Sequence, residues 1–228
     1  MNIALLLSGG TGSRVGGDIP KQYIEVNNRP IISYTMEALL SHEMIDAIEI
    51  VASDAYHELI RKEASPFLNK KPLHFSEPGD TRQLSILNGM RNIRTYATDA
   101  DYIFVHDAAR PCLSYNMITE CFAKVIGHQG VIPVLPMKDT VYLSNDGQRV
   151  TSLLDRSHVF AGQAPELFIL GPYYDANQEL LPDKIYSING STEPAILAGM
   201  DIAMIPGDEA NFKITTPADL ERFKDLIL

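Results

Sequence analysis

The stretch MNIALLLSGGTGSR, residues 1–14, joins a short apolar run to a loop rich in glycine. The apolar run, Ile3 to Leu7, has the length of one buried β-strand, and similar runs recur along the chain with amphipathic helical patterns between them. This alternation predicts an α/β fold, a doubly wound and mostly parallel sheet with helices on both faces. Ligands of such sheets bind at the carboxyl ends of the strands, so the glycine loop should border a binding crevice.

The predicted crevice collects loops from several strands. The loops after Leu7, after Ser76 and after Val105 should lie together, because parallel strands end at the same edge of the sheet. The other predicted elements are the strands Ala47 to Ala52, Tyr102 to Val105 and Gly130 to Val134, and the helices Ile32 to Leu40 and Met117 to Ile126.

Residues 137–156 interrupt this pattern. Two short strand-like pieces, Thr140 to Leu143 and Val150 to Leu153, flank the sequence Ser-Asn-Asp-Gly at 144–147. Asp-Gly between two such pieces is typical of a β-hairpin. We therefore predict one domain over residues 1–228 with a protruding β-arm at 137–156.

Composition excludes several classes of protein. The chain has 228 residues, 45% of them hydrophobic, and a formal net charge of -10, which disfavours binding of nucleic acid along a basic face. Its two cysteines, Cys112 and Cys121, lack the spacing of a metal site and are expected to be reduced. The apolar run that ends at Ser8 is too short for a signal peptide or a membrane span, so we expect a cytoplasmic protein.

The glycine loop predicts a phosphate-binding site. Three glycines, Gly9, Gly10 and Gly12, let backbone N–H groups approach a polyphosphate, and two cations, Arg14 and Lys21, follow. Fixed cations stabilise the charge that develops when pyrophosphate leaves an α-phosphorus. The alternative interpretation is a glycine turn with two solvated cations.

Two better-known phosphate loops do not fit this sequence. A dinucleotide-binding fingerprint that began at Gly10 would need a glycine where Val15 stands, which disfavours an oxidoreductase. A Walker loop from Gly12 to Gly17 would need lysine where Asp18 stands.

The motif GDTRQLS, residues 79–85, lies between a predicted strand and a helix that Asp80 or Thr81 is suited to cap. In NFKITTP, residues 211–217, Thr216 is a plausible N-cap of the helix Ala218 to Leu226. Capping does not account for Lys213, which alternates with two apolar residues and should face the crevice if they face the core.

The motif HDAARP, residues 106–111, follows a predicted strand and places Asp107 in the crevice. A carboxylate there suits Mg²⁺, which binds one or two carboxylates together with substrate phosphates. His106 is interpreted as a core histidine. Arg110 is interpreted either as a helix cap or ion-pair partner, or as a cation beside a phosphate.

These motifs, LSGGTGSR, PKQY, GDTRQLS, HDAARP and NFKITTP, resemble in order and spacing those of the methylerythritol phosphate cytidylyltransferases and the related ribitol phosphate cytidylyltransferases. The resemblance spans nearly the whole chain. It implies a magnesium-dependent transfer of a cytidylyl group from CTP to 2-C-methyl-D-erythritol 4-phosphate or D-ribitol 5-phosphate, with release of pyrophosphate. It also implies a homodimer in which the β-arm reaches the partner's site.

The resemblance assigns a role to each motif residue. It implies catalytic contacts of Arg14, Lys21 and Lys213 with the reacting phosphates, and it places Asp107 near the ribose and the incoming phosphate. The implied nucleotide-binding residues are Ser8, Gly9, Gly10, Gly12, Gly79, Asp80, Arg82 and Ser85. The implied acceptor-binding residues are Asp107, Arg110, Thr140 and Arg156. Since Asp107 is also the candidate metal ligand, whether it binds the metal or the acceptor stays open.

Two segments depart from the family pattern. Family members usually have Thr-Pro-Gln where this chain has Ala164-Pro165-Glu166, and a Thr-Asp with further acids where it has residues 189–196, Asn-Gly-Ser-Thr-Glu-Pro-Ala-Ile. Gly9-Gly10 is more similar to the ribitol phosphate enzymes, whereas residues 107–110 are more similar to the methylerythritol phosphate enzymes. The acceptor therefore stays open, and a nucleotide-binding regulatory module without turnover is the alternative function.

Overall fold

The computed structural model describes residues 1–10, 19–68 and 71–227. The strands are β1 (Asn2–Leu7), β2 (Glu25–Val26), β3 (Arg29–Pro30), β4 (Ala47–Val51), β5 (Leu73–Ser76), β6 (Tyr102–Asp107), β7 (Gly130–Pro136), β8 (Val141–Leu143), β9 (Ser152–Leu154), β10 (Phe160–Gly162), β11 (Glu166–Ile169) and β12 (Ile202–Pro206). The α-helices are α1 (Ile31–Leu40), α2 (His57–Ala64), α3 (Arg82–Ile93), α4 (Tyr115–Lys124), α5 (Leu170–Gln178), α6 (Glu193–Leu197) and α7 (Pro217–Leu226).

Within the described residues, eight strands form the central sheet. Its order is β10-β7-β11-β6-β1-β4-β5, and β12 pairs with β7. Strands β6, β1, β4 and β5 are parallel, whereas β11 runs antiparallel to both of its neighbours. The predicted mostly parallel α/β sheet is confirmed, and the four predicted strands correspond to β1, β4, β6 and β7.

Helices cover both faces of this sheet. Ala4 and Leu6 of β1 pack in one apolar cluster with α1 and α4, while Ile3 and Leu5 pack in another with α3 and α5. Burial on both faces explains why β1 has a continuous apolar sequence rather than an alternating one. Among the described residues, every helix is too short or too polar to cross a lipid bilayer.

The parallel register brings three strand ends to one level. Leu7 pairs with Val51 of β4 on one side and with Asp107 of β6 on the other. The loops that follow β1 and β6 therefore start beside each other, which sets the position of the predicted crevice.

Helix α7 positions the segment that carries Lys213. The side chain of Thr216 caps the helix and forms a reciprocal capping box with Asp219, as the sequence predicted for this N-cap. Ile214 and Phe223 are buried together in a small apolar cluster. This packing anchors the chain on the C-terminal side of Lys213.

The β-arm is a separate two-stranded hairpin. Strands β8 and β9 are antiparallel and pair Val141 with Leu154, which confirms the hairpin. The connection is longer than a two-residue turn and spans 144–151, because the Asp146 carboxylate accepts the backbone N–H groups of Gln148 and Arg149 and shapes a wider loop.

Candidate active site

A cavity of about 460 Å³ opens at the carboxyl ends of the parallel strands. It lies where the loops after β1, β5 and β6 meet, so the predicted convergence of these loops is confirmed. Lys213 closes one side. The lining residues are Leu7, Gly9, Gly10, Lys21, Gln22, Gly79, Asp80, Thr81, Arg82, Ser85, Asp107, Ala109 and Lys213.

Hydrogen bonds from the side chains of Gln22 and Tyr23 hold the loop after β1. The buried Gln22 amide donates to the carbonyl oxygens of Ser8 and Gly10 at 2.7 and 2.8 Å. The Ser8 hydroxyl lies 2.8 Å from that of Tyr23. Ser8 is therefore buried beneath the cavity instead of lining it, and its side chain supports the loop rather than a ligand.

Glycine allows close packing at two points of the cavity wall. A Cβ atom on Gly9 would lie 2.6 Å from Cβ of Pro78, and one on Gly79 would lie 2.4 Å from Cβ of Leu84. A larger residue in place of Gly9 would push the loops after β1 and β5 apart, and one in place of Gly79 would displace the start of α3. Gly10 has open space where its Cβ would be and forms part of the cavity wall. Gly12 and Arg14 lie outside the described residues.

The start of α3 forms a second wall of the cavity. The Thr81 hydroxyl accepts the backbone N–H of Leu84, which confirms the predicted cap, while Asp80 is exposed. The Ser85 hydroxyl accepts the N–H of Gly79 and donates to the carbonyl of Thr81, both at 3.0 Å. Ser85 thus fixes the shape of the loop as well as lining the cavity.

Asp107 is the charged centre of the cavity floor. Its Oδ1 lies 3.1 Å from Nε of Arg82, and its Oδ2 lies 3.0 Å from Nζ of Lys213 and 3.4 Å from Nε of Arg110. Burial by itself would raise the pKa of Asp107, but Arg82, Lys213 and Arg110 outweigh it and hold the pKa well below its usual range. Asp107 is therefore ionised, and Lys213 faces the cavity as predicted.

Arg82 is shared between two carboxylates. Besides Asp107 it approaches Glu166, with 3.8 Å between Nη2 and Oε2. Burial opposes the charge of Arg82, yet Asp107 and Glu166 raise its pKa above its ordinary value. Burial raises the pKa of Glu166, and Arg82 and a hydrogen bond from Ser191 only partly offset this.

Arg110 is oriented by the segment before Lys213. Its Nη1 donates to the carbonyl oxygen of Asn211 at 2.8 Å, and the buried Asn211 amide in turn donates to the carbonyl of Ala164 at 2.8 Å. Arg110 is thus placed beside Asp107 by contacts from two other parts of the chain. Of the two interpretations of Arg110, the structure supports an ion-pair partner that also borders a cavity.

His106 is buried next to this cluster. One ring nitrogen, Nε2, lies 3.1 Å from the carbonyl oxygen of Arg110, whereas Nδ1 has no hydrogen-bond partner among the described residues. Burial lowers the pKa of His106 to about 4, so the ring is neutral at neutral pH. This agrees with a core histidine, although only half of its hydrogen-bonding capacity is used.

The cavity floor does not fit a magnesium ion held by Asp107. Both carboxylate oxygens already contact cations, and three positive groups surround them. In the part of the chain that the structure describes, no group of three or more His, Cys, Asp or Glu side chains could hold a metal ion. The floor is instead suited to anions, because its cations outnumber its carboxylates.

A second cavity, of about 360 Å³, adjoins the first across Lys213. Arg110 and Arg222 add two more cations to its wall, and the Arg222 guanidinium lies 4.0 Å from the ring centre of Phe212. The second cavity faces the base of the β-arm through residues 161–163. An anionic group could therefore lie on either side of Lys213.

The structure does not bring the arm residues to either cavity. Thr140 is exposed, and Arg156 donates from Nη1 to the carbonyl oxygen of Lys138 at 2.7 Å. Neither residue lines either of the two cavities described above. Their predicted role toward an acceptor depends on a second chain.

Sequence reasoning missed three buried polar residues of the site: Gln22, Asn211 and Glu166. Gln22 and Asn211 lie within motifs that were recognised, so their motif membership was a usable signal. Glu166 was noticed only as a departure from Thr-Pro-Gln. Its contact with Arg82 depends on how β11 pairs with β6, which no local pattern reveals.

Comparisons with known proteins show what this chain is similar to. A family model described as "IspD: 2-C-methyl-D-erythritol 4-phosphate cytidylyltransferase" matches residues 2–227. A 2-C-methyl-D-erythritol 4-phosphate cytidylyltransferase of Lachnospira eligens is 30% identical, over 97% of this chain and 96% of the relative. A ribitol-5-phosphate cytidylyltransferase of Streptococcus agalactiae is 29% identical, over 99% and 95%. The crystal structure of 4-diphosphocytidyl-2C-methyl-D-erythritol synthase from Anaerococcus prevotii shares the fold, with a TM-score of 0.85 at 20% identity over 99% and 97% of the two chains.

Proposed function

The chain belongs to the 2-C-methyl-D-erythritol 4-phosphate cytidylyltransferase family, and from this premise we propose its reaction. It transfers a cytidylyl group from CTP to the phosphate of a small sugar or polyol phosphate and releases pyrophosphate. One observation carries this proposal: a single cavity collects the glycine loop, Lys21, and the cluster of Arg82, Asp107 and Lys213.

In this proposal the nucleotide spans the two glycine-containing walls. The triphosphate lies along the loop of Gly9 and Gly10 and beside Lys21, which line the same cavity, because glycine lets backbone N–H groups approach a polyphosphate. The cytosine and ribose lie against the loop from Gly79 to Ser85. Arg14 is assigned to the triphosphate from the sequence alone, since it lies outside the described residues.

The chemistry needs positioning and charge rather than a covalent intermediate. An oxygen of the acceptor phosphate attacks the α-phosphorus of CTP in line, one P–O bond forms, and the bond to the pyrophosphate leaving group breaks. A phosphate monoester is largely dianionic at neutral pH, so the attacking oxygen carries no proton that a base would have to remove. Lys21 and Lys213 stabilise the charge that moves onto pyrophosphate.

Magnesium, which the reaction type implies, is proposed to enter with CTP on the phosphate oxygens. The support is electrostatic: three cations occupy the surroundings of Asp107, whereas a triphosphate brings several hard oxygen ligands of its own. Asp107 then acts by holding Arg82, Arg110 and Lys213 in place.

The acceptor is proposed to lie beside Arg110 and Lys213, with Arg156 and Thr140 supplied by the partner of a homodimer. The support is the surface of the arm, where Tyr142, Leu143, Val150 and Leu153 are exposed large apolar side chains on a hairpin that has no core of its own. Isolated hairpins are marginally stable, and exposed apolar patches mark interaction sites. A cytoplasmic location is proposed as well. Its support is that Cys112 and Cys121 are free and that the proposed substrate is CTP.

The test measures pyrophosphate release from CTP with a panel of sugar and polyol phosphates that includes methylerythritol 4-phosphate and ribitol 5-phosphate. We expect release with at least one acceptor, and a preference for CTP over ATP and GTP of about 100-fold or more in kcat/KM, since buried polar groups discriminate against a mispaired base. Binding of CTP without release with any acceptor would favour the regulatory module. A signal from a nicotinamide cofactor would favour an oxidoreductase.

A further inference from the structure

A second carboxylate lies buried below the cavity, next to the Asp107 cluster. Glu166 is the first residue of β11 and pairs with Val105 of β6, two residues before Asp107. The two carboxylates therefore project from the same face of the sheet. The position of Glu166 follows from the antiparallel insertion of β11 between β6 and β7.

Glu166 gives the Arg82 guanidinium a second partner. Arg82 donates from Nε to Oδ1 of Asp107 at 3.1 Å, while its Nη2 lies 3.8 Å from Oε2 of Glu166. A guanidinium is a planar fork that readily takes both oxygens of one carboxylate. Here one nitrogen of the fork lies toward Glu166, Arg82 donates to Oδ1 of Asp107, and Oδ2 contacts Lys213 and Arg110.

The two departures from the family pattern meet at this carboxylate. The Ser191 hydroxyl, from segment 189–196, donates to Oε2 of Glu166, from the segment Ala164-Pro165-Glu166. The family pattern has a neutral Gln at the position of Glu166 and acids in the segment that corresponds to residues 189–196. In this chain the second acid beside Arg82, after Asp107, comes from β11, and Ser191 contacts it through a hydroxyl.

We propose that Glu166 is a positioning residue that keeps Arg82 off Oδ2 of Asp107 and so keeps Lys213 and Arg110 where the reacting phosphates need them. Its link to turnover rests on the proposed function, whereas its effect on the geometry of Arg82 and Lys213 does not. Glu166 acts through Arg82 and does not touch the nucleotide, since it is buried and does not line the cavity.

The variant Glu166→Gln tests this idea through kcat and nucleotide affinity measured separately. It keeps the shape and removes the charge, so Arg82 should turn onto both oxygens of Asp107 and displace Lys213. We expect kcat to fall about tenfold, while the Kd of CTP measured by calorimetry changes less than about twofold, because the site loses a negative charge but no cation.

A compensating substitution separates positioning from packing. Ser191→Asp in the Glu166→Gln background returns a carboxylate to the same contact and should restore most of the lost kcat. Glu193→Gln is the matched control, because Glu193 lies in the same segment and its carboxylate accepts the N–H of Asn189 rather than contacting Arg82. Glu193→Gln should leave kcat unchanged.

A crystal structure of Glu166→Gln gives a readout that does not depend on activity. We expect both Asp107 oxygens on Arg82 and a Lys213 Nζ to Asp107 Oδ2 distance beyond about 4 Å, the range of an ion pair. An unchanged Lys213 contact, a wild-type kcat, or a loss that Ser191→Asp does not relieve overturns the proposal. If Glu166→Gln does not fold, Glu166→Asp replaces it, because this variant keeps the charge but moves it one methylene further from Arg82. We expect a fall in kcat smaller than tenfold and an unchanged Kd of CTP.

These outcomes are distinct from failure of the proposed function. A wild-type chain that releases no pyrophosphate with any acceptor contradicts the reaction but leaves the crystallographic test of Arg82 and Lys213 in force. A wild-type chain that turns over CTP while Glu166→Gln does so equally well contradicts the role of Glu166 alone.

Discussion

The cavity floor and the β-arm use the same kinds of charged residue in opposite ways. On the floor, the buried Asp107 is held by cations from three separate parts of the chain. On the arm, Asp146 and Arg149 form a pair three residues apart, 3.6 Å between Nε and Oδ2, and the Arg149 side chain is 89% exposed. Exposed local pairs contribute little to stability. The floor is thus specified within one chain, whereas Thr140 and Arg156 of the arm, proposed to bind the acceptor, line neither of the two cavities.

The largest expected effect comes from removing a cation of the floor. Lys213→Ala should lower turnover about 100-fold, equivalent to about 2.7 kcal/mol of transition-state stabilisation, because a fixed charge at the reacting phosphates is lost. Lys21→Ala should act alike. The measurement is pyrophosphate release at saturating CTP, with circular dichroism to show that the fold is intact.

Lys224→Ala is the matched control, since Lys224 forms a surface pair with Glu221 at 2.7 Å. We expect wild-type turnover from it. Wild-type rates from Lys213→Ala would contradict the assignment of the floor to the triphosphate.

The next effect concerns whether the arm serves a partner. Arg156→Ala should lower turnover roughly 30-fold, about 2 kcal/mol, if its guanidinium binds the acceptor phosphate in a site that excludes water. Arg149→Ala, on the exposed loop of the same arm, should have no effect.

Mixing the Arg156→Ala and Lys21→Ala chains distinguishes action in the partner's site from action within the chain. Each heterodimer would hold one site with both defects and one with an intact Lys21 and a donated Arg156. Equal mixing after reversible dissociation should restore about a quarter of all sites, since about half of the dimers are mixed. No recovery, or a fully active monomer in sizing experiments, would contradict the shared site.

A smaller effect tests how tightly the cavity wall is packed. Gly79→Ala should lower the free energy of unfolding by about 1.5 kcal/mol, because the added Cβ would lie 2.4 Å from Cβ of Leu84 and must displace it. Gly190→Ala is the control, since no atom lies within 4 Å of the position its Cβ would take. Urea unfolding of both variants measures the difference. Equal free energies of unfolding would show that Leu84 can move aside without a measurable loss of stability.

The smallest effect concerns the N-terminal cap of helix α7, which belongs neither to the cavity floor nor to the β-arm. Partial burial would raise the pKa of Asp219, but hydrogen bonds from Thr215 and Thr216 lower it to about 2, from an ordinary value of 3.8. A lowered pKa in the folded state means that ionised Asp219 stabilises the fold above about pH 4, and that this stabilisation is lost as the pH falls toward 2.

Asp219→Asn should therefore lower the free energy of unfolding by about 1 kcal/mol at pH 7. Urea unfolding at pH 7, 4 and 3 should show the difference between the variant and the wild type shrinking on acidification. If the difference in the free energy of unfolding does not change with pH, the shape of the Asp219 side chain, and not its charge, stabilises the helix cap.

The accuracy of sequence reasoning followed the range of the interactions involved. Strand β1, the cap at Thr216 and the alternation that turns Lys213 toward the cavity depend on residues close together in the chain, and each was predicted. The hairpin was predicted as well, although β9 (Ser152–Leu154) begins two residues later than expected because Asp146 shapes a wide loop. Dimerisation through the arm stays a prediction.

By itself, then, the sequence determined the α/β class, the positions of β1, β4, β6 and β7, the caps at Thr81 and Thr216, and the presence of cations in the motifs that line the cavity, because periodicity and short motifs act within a few residues. Only the tertiary structure decided that Ser8 supports a loop from below and that Asp107 collects three cations. It alone brought Glu166 and Ser191 together beside Arg82. These contacts join distant segments through strand order and register, and those depend on how the whole chain packs, which no single stretch of sequence records.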